Sequence, residues 1–149
     1  MGIQFNWYDG FSESWARGDV ILKSDTFKAA LVTSSYTFDS THTSFSQVTN
    51  ELAGNGYSQV TMSGISVTRS GKVATVDFAD ISFATVITAP WTFRRMVIYD
   101  DTPTTPVADP LVCSILFDNT PGNIVVPVGI KFVAEIPTGL ATLTLQDPA

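Results

Sequence analysis

From about residue 20 onward, short apolar runs alternate with stretches of Ser, Thr, Asn, Gly and Pro, whereas the first 18 residues follow a different period. There Trp7, Phe11 and Trp15 recur every four positions. That spacing predicts one face of a short helix, with Gly18 just past it as the stop. Val20-Ile21-Leu22 is a brief apolar run, and residues 27–33 predict a strand with Phe27, Ala29 and Leu31 on one face. A polar stretch over 34–42 leads to Phe45, Val48 and Leu52, whose spacing predicts one or two turns of helix ended by Gly54-Asn55-Gly56.

Strand signals then follow at short intervals. Residues 57–62 form one, and 65–69 and 73–78 flank Ser70-Gly71-Lys72 as a hairpin. Residues 80–86 form the next, and Pro90 breaks the run. Residues 91–99 predict one long strand, and 100–110, with three prolines, a long loop. The apolar run 111–117 predicts a central strand buried on both faces. After a turn at 118–122, residues 124–128, 130–136 and 140–146 finish the sheet. Roughly eight to ten strands punctuated by Gly, Pro and Asn predict an all-β fold, a β-sandwich or jelly-roll-like barrel with one or two short helices. Residues 1–149 are expected to form a single domain, with 1–18 as an N-terminal arm and short helix. The expected core contains Phe27, Ala29, Leu31, Val76, Phe78, Val97, Ile115 and Phe117.

Composition sharpens this picture. Hydrophobic residues make up 44% of the chain and charged residues 15%, against about 25% charged in typical soluble domains. A surface short of charge must be covered by small polar and exposed apolar groups, as where one protein is held against another. The net charge is −6 and the eight Lys and Arg are scattered, apart from Arg94-Arg95. That predicts no nucleic-acid partner, because phosphate backbones repel an acidic surface. No stretch approaches the ~18 apolar residues of a membrane span, so no membrane partner is expected. No basic region precedes an apolar run at the start, so no signal peptide is expected. The one cysteine, Cys113, cannot form an internal disulfide; within its apolar run it predicts a buried, inert thiol and synthesis in a reducing cytoplasm.

Candidate chemistry is sparse. The only histidine, His42, stands in a Ser/Thr-rich loop with no Gly-x-Ser-x-Gly around any serine, which argues against a Ser-His-Asp hydrolase. One Cys and one His in distant segments do not supply the three or four ligands of zinc. Asp100-Asp101 at the start of a loop could contribute to a calcium site, but a solvated turn accounts for the pair better; a glycan hydrolase would instead need Asp77 and Asp80, or Asp100 and Asp101, to face one cleft. No catalytic residue, metal ligand or cofactor is therefore assigned. Arg94-Arg95 is different. On a strand one of the two points inward and needs a carboxylate, for which Asp77 or Asp80 is the expected partner. The alternative is that one arginine crosses to a neighbouring subunit.

An order of elements carries a resemblance. Trp7-Tyr8-Asp9-Gly10-Phe11 to Trp15 opens it, followed by Gly18-Asp19 and Asp25-Thr26-Phe27-Lys28-Ala29-Ala30-Leu31-Val32-Thr33-Ser34-Ser35-Tyr36-Thr37. Then come His42, Val48-Thr49-Asn50-Glu51-Leu52 and Gly54-Asn55-Gly56-Tyr57. The hairpin Val67-Thr68-Arg69-Ser70-Gly71-Lys72-Val73-Ala74, Val97-Ile98-Tyr99-Asp100-Asp101-Thr102, Asp109-Pro110-Leu111 and Phe117-Asp118 complete it. In this order the chain resembles a family of small virion proteins of tailed bacteriophages and prophages, most specifically over residues 25–57, and departs from it after Phe117. The resemblance implies a β-rich particle component. The leading expectation is a capsid decoration (cement) protein on the outer surface of the major capsid protein shell, made in the host cytoplasm and found on the virion. A tail-tip, fibre or head–tail connector component is the alternative, binding host glycan through Trp91 and the loop 100–110 or binding another virion protein. The expected partners are the major capsid protein and further copies of the chain, with a trimer preferred. Trp7, Phe11, Trp15, Arg94 and Arg95 are the candidate interface residues.

Overall fold

The computed structural model describes residues 3–83, 87–120, 122–136 and 141–144. In chain order the elements are β1 (Gln4–Trp7), α1 (Asp9–Arg17), β2 (Phe27–Val32), a single 3-10 turn (Phe45–Gln47), β3 (Val60–Thr61), β4 (Ser66–Ser70), β5 (Val73–Asp77), β6 (Ile81–Phe83), β7 (Trp91–Phe93), β8 (Arg95–Asp100), β9 (Leu111–Leu116), β10 (Ile124–Val126), β11 (Phe132–Ala134) and β12 (Ala141–Thr144). The fold is all-β, as expected, with one short α-helix among the described residues. Its largest sheet runs β1-β9-β8-β2-β3, every pair antiparallel. A three-stranded sheet, β12-β5-β4, and the pairs β10-β7 and β11-β6 make up the rest.

The main core lies between these two groups. Phe27, Leu31, Met96, Ile98, Cys113 and Ile115 from the large sheet meet Val76, Phe78, Ile81, Phe83, Trp91 and Phe93 from the smaller ones. Each fully buried side chain of this size contributes about 1.5–3 kcal/mol. A second, smaller core covers the opposite face of the large sheet. The chain between β2 and β3 folds back, and its Tyr36, Phe38, Phe45 and Val48 cap Val32, Val97, Tyr99 and Leu111. An antiparallel sheet ordinarily leaves one face to water and alternates accordingly. Here a loop covers that face, so β9 is buried at all six positions and β2 and β8 are nearly continuous apolar runs.

Phe27, Ala29, Leu31, Val76, Phe78, Val97 and Ile115 are buried as expected, but Phe117 lies just beyond β9 and is only partly buried against the core. The hairpin around Gly71 forms with Ser66 opposite Asp77 and Ser70 opposite Val73. Residues 57–62 give only the two-residue β3.

Three elements differ from expectation for physical reasons. Residues 91–99 are two strands, because the chain steps from the β10-β7 pair into the large sheet at Arg94, whose N–H donates to the Val32 carbonyl at 2.9 Å. The helix expected over 45–52 is one 3-10 turn, closed by a capping box between Ser44 and Gln47. Beyond it Asn50 turns the chain at φ 59°, and the Leu52 N–H donates to Leu31 on the sheet rather than within a helix. Trp7 belongs to β1, and the helix begins only at Asp9. Its stop was legible: Gly18 takes the left-handed φ of 79° and its N–H closes on the Trp15 carbonyl. Parts of three expected segments lie outside the described residues, namely 84–86, 121, and 140 with 145–146, as do residues 1–2 of the arm.

Candidate functional site

The aromatic residues of the N-terminal arm form a continuous stack across two elements. β1 pairs with β9 so that Trp7 lies opposite Cys113. The Trp7 and Phe11 rings are 5.6 Å apart at 12°, and those of Phe11 and Trp15 are 5.8 Å apart at 15°. The stack is not uniformly available. Phe11 is 6% exposed and Trp15 is partly buried on the main core, so these rings anchor α1 to its own protein. Trp7, 39% exposed, is the ring that faces outward.

Arg94 and Arg95 come together as the sequence alone did not foresee. Strand neighbours point to opposite faces, but the break between β7 and β8 lets both line one open hollow of about 360 Å³, with Ser34, Tyr36, Thr37, Phe38 and Leu116. The Arg95 Nη1 donates to Asn6 Oδ1 at 3.0 Å and to Ser114 Oγ at 3.4 Å, and its guanidinium lies 5.4 Å from the Phe38 ring centre. The Arg94 Nε donates to Asn123 Oδ1 at 3.1 Å. The expected partners, Asp77 and Asp80, are elsewhere: Asp77 accepts the Phe78 N–H and Asp80 the Ile136 N–H. Their segments belong to other sheets, whereas β8 is flanked by β2 and β9. Phe5 packs on the main core while Asn6 bonds Arg95, so β1 serves the aromatic stack on one face of the sheet and the arginines on the other.

The remaining candidates are separated by their surroundings. Trp91 is fully buried and its indole N–H donates to the Asn55 carbonyl at 3.0 Å, which removes it as a surface for stacking sugars. His42 is partly buried, with Nε2 3.8 Å from Asp39 Oδ2. Asp101 pairs with Lys28 at 2.7 Å, while Asp100 is fully buried and its Oδ1 accepts the Thr102 N–H at 2.9 Å. The two aspartates therefore face different partners. Among the described residues no group of three or more His, Cys, Asp or Glu is placed to hold a metal.

Asp100 has a measurable signature. Burial, and then the neighbouring Asp25 carboxyl, push its pKa up to about 7 against the pull of the Thr102 amide. A carboxyl that binds its proton more tightly when folded loses stability as pH rises from about 4 to about 7, and the loss is constant above that. Asp100→Asn is close in shape and stays neutral at every pH. Its melting temperature relative to wild type should therefore climb by several degrees between about pH 4 and pH 7, read by calorimetry. A difference that stays flat over that range contradicts the upward shift of the Asp100 pKa.

One surface escaped the sequence reading. Val125, Val128, Ile130 and Val133 are exposed, as is Ile3. Ile3 and Val133 border a shallow hollow of about 210 Å³ floored by Phe117, Phe132 and Ala134. The run 124–133 is rich in Val and Ile on either side of the turn at 127–131, and the turn carries Val128 and Ile130 out to solvent. Comparison with protein-family models, with curated proteins and with solved structures finds no match to this chain.

Proposed function

We propose that this chain is a structural protein of a tailed-phage particle, a decoration protein that binds the outer surface of the major capsid protein shell and stabilises it. It acts by binding and not by catalysis. The observation that carries the reading is the set of exposed apolar side chains, Ile3, Trp7, Val125, Val128, Ile130 and Val133, on a chain with few charges to solvate its surface. Ile3 and Val133 share one shallow hollow floored by Phe117 and Phe132, and apolar exposure of this kind marks surfaces that meet other proteins. The resemblance of its order of elements to that of small phage virion proteins suggests the class of partner. Many copies, each adding a modest contact that bridges neighbouring shell subunits, stiffen a shell through simultaneous engagement. Copies arranged as a closed ring, a trimer in the preferred form, satisfy every interface equally.

The test uses particles produced with and without the gene. Label against the protein should cover the whole head, and particles lacking the protein should release DNA at lower temperature. Label confined to the tail replaces this reading with a tail-tip or connector role, and particles equally resistant to heat and chelators overturn it. Within the same assay Trp7→Ala measures the outward ring. Losing its stack on Phe11 should cost the free protein about 1 kcal/mol, while particle binding falls at least about tenfold, since aromatic anchors dominate interface energy. A lower melting temperature with full binding assigns Trp7 to the protein's own fold instead.

A further inference from the structure

We propose that the hollow between Arg94 and Arg95 binds a carboxylate side chain on an acidic peptide segment of a protein partner. The inference rests on this hollow alone and holds wherever the protein works.

The argument starts from an imbalance. The chain carries 14 acidic and 8 basic residues, so an arginine here has carboxylates in excess to pair with. Arg17 pairs with Glu13 and Asp19, and Lys28 with Asp101. Arg94 and Arg95 pair with no carboxylate among the described residues; their hydrogen bonds go to Asn6, Ser114 and Asn123, all uncharged. The Phe38 ring holds the Arg95 guanidinium from one side. Both cations are therefore fixed in position and unneutralised. Arg95 is partly withdrawn from water, and burial lowers its pKa. A desolvated cation without a counter-ion is an unfavourable state that an incoming anion relieves.

The shape selects the anion. A guanidinium is a planar fork matched to the two oxygens of a carboxylate, and bonding through Arg94 Nε leaves its terminal nitrogens to make that contact. The hydroxyl-bearing Ser34 and Thr37 line the same hollow, while Phe38 and Leu116 form an apolar wall for the methylenes of a glutamate or an adjoining leucine. The hollow is open, as a peptide segment requires and a small enclosed ligand does not. A nucleic acid would bring many phosphates against a body of net charge −6, whereas a short acidic segment brings one or two charges to the point where the positive charge lies.

The experiment titrates the full chain, followed by amide resonances, with a capped peptide of two glutamates flanking a leucine, its glutamine twin, and inorganic phosphate. The acidic peptide should bind at least about tenfold more tightly than its twin, shift resonances at 34–38 and 116, and weaken with added salt. Arg94→Gln should weaken it about tenfold with the melting temperature unchanged. Arg94→Lys, which keeps the charge and loses the fork, should fall between. Equal binding of the two peptides, no binding at millimolar peptide, or shifts elsewhere on the protein overturn the proposal. Phosphate binding as tightly as the peptide also overturns it, in favour of a general oxyanion site.

Discussion

Replacing Trp91 with alanine should destabilise the protein by about 3–5 kcal/mol, the usual cost of deleting a fully buried aromatic, and lower its melting temperature by roughly 10–15 °C. The ring is completely enclosed at the start of β7, stands edge-on to Tyr57 at 5.7 Å, and ties its N–H to the Asn55 carbonyl. Trp91→Phe separates the two contributions. It keeps most of the apolar contact and removes one of the two donors to the exposed Asn55 carbonyl, the Thr88 N–H remaining at 3.2 Å, so the lost hydrogen bond should cost about 0.5–1.5 kcal/mol. Phe117→Ala, at a partly buried ring, should cost less, about 1–2 kcal/mol. Urea unfolding measures all three. A cost under about 1 kcal/mol for Trp91→Ala would place the ring outside the core and restore it as a surface for sugars.

Cys113 should react with thiol reagents at least on the order of 10³-fold more slowly in the folded protein than in denaturant. The side chain is fully buried on β9, and burial pushes the thiol pKa up from 9.0 to about 12. At pH 8 that change lowers the thiolate fraction from roughly one in ten to roughly one in ten thousand, and the thiolate is the reacting species. Exclusion of the reagent from the core adds to this. Labelling at rates within tenfold of the unfolded chain would mean that β9 opens readily, and the double-sided burial of the central strands would be wrong.

What the sequence made legible was whatever depends on neighbours along the chain. The hairpin at Gly71 follows from alternation on either side of a turn, and the end of α1 from a glycine at the position that needs φ above zero. The burial of β9 on both faces followed from its unbroken apolar run, though not its cause. The cover is a loop whose Tyr36 and Phe38 show no period, and whose Phe45 and Val48 fall at helical spacing and so read as a helix rather than as a lid on the sheet. The break at Arg94 left one trace, a charged pair interrupting an alternating run, but which sheet each half joins depends on partners far away in the chain. For the same reason the arginines' partners were misplaced: Asp77 and Asp80 are near in sequence, while Asn6 and Ser114 are near only once β1, β9 and β8 lie side by side.

That order of strands also sets a timetable. β1 can find its place only against β9, where Gln4 pairs with Leu116, 112 positions later. At ribosomal speeds of about 5–20 residues per second, the first strand waits roughly 5–20 s for its partner to be made. Throughout that wait Phe5, Trp7 and Phe11 have no sheet to pack on, although Phe11 and Trp15 can already approach each other within the helix. Until β9 is made, the aromatic side chains of this segment stay uncovered. β1 is thus the edge of the large sheet that is fastened late, once its distant partner exists.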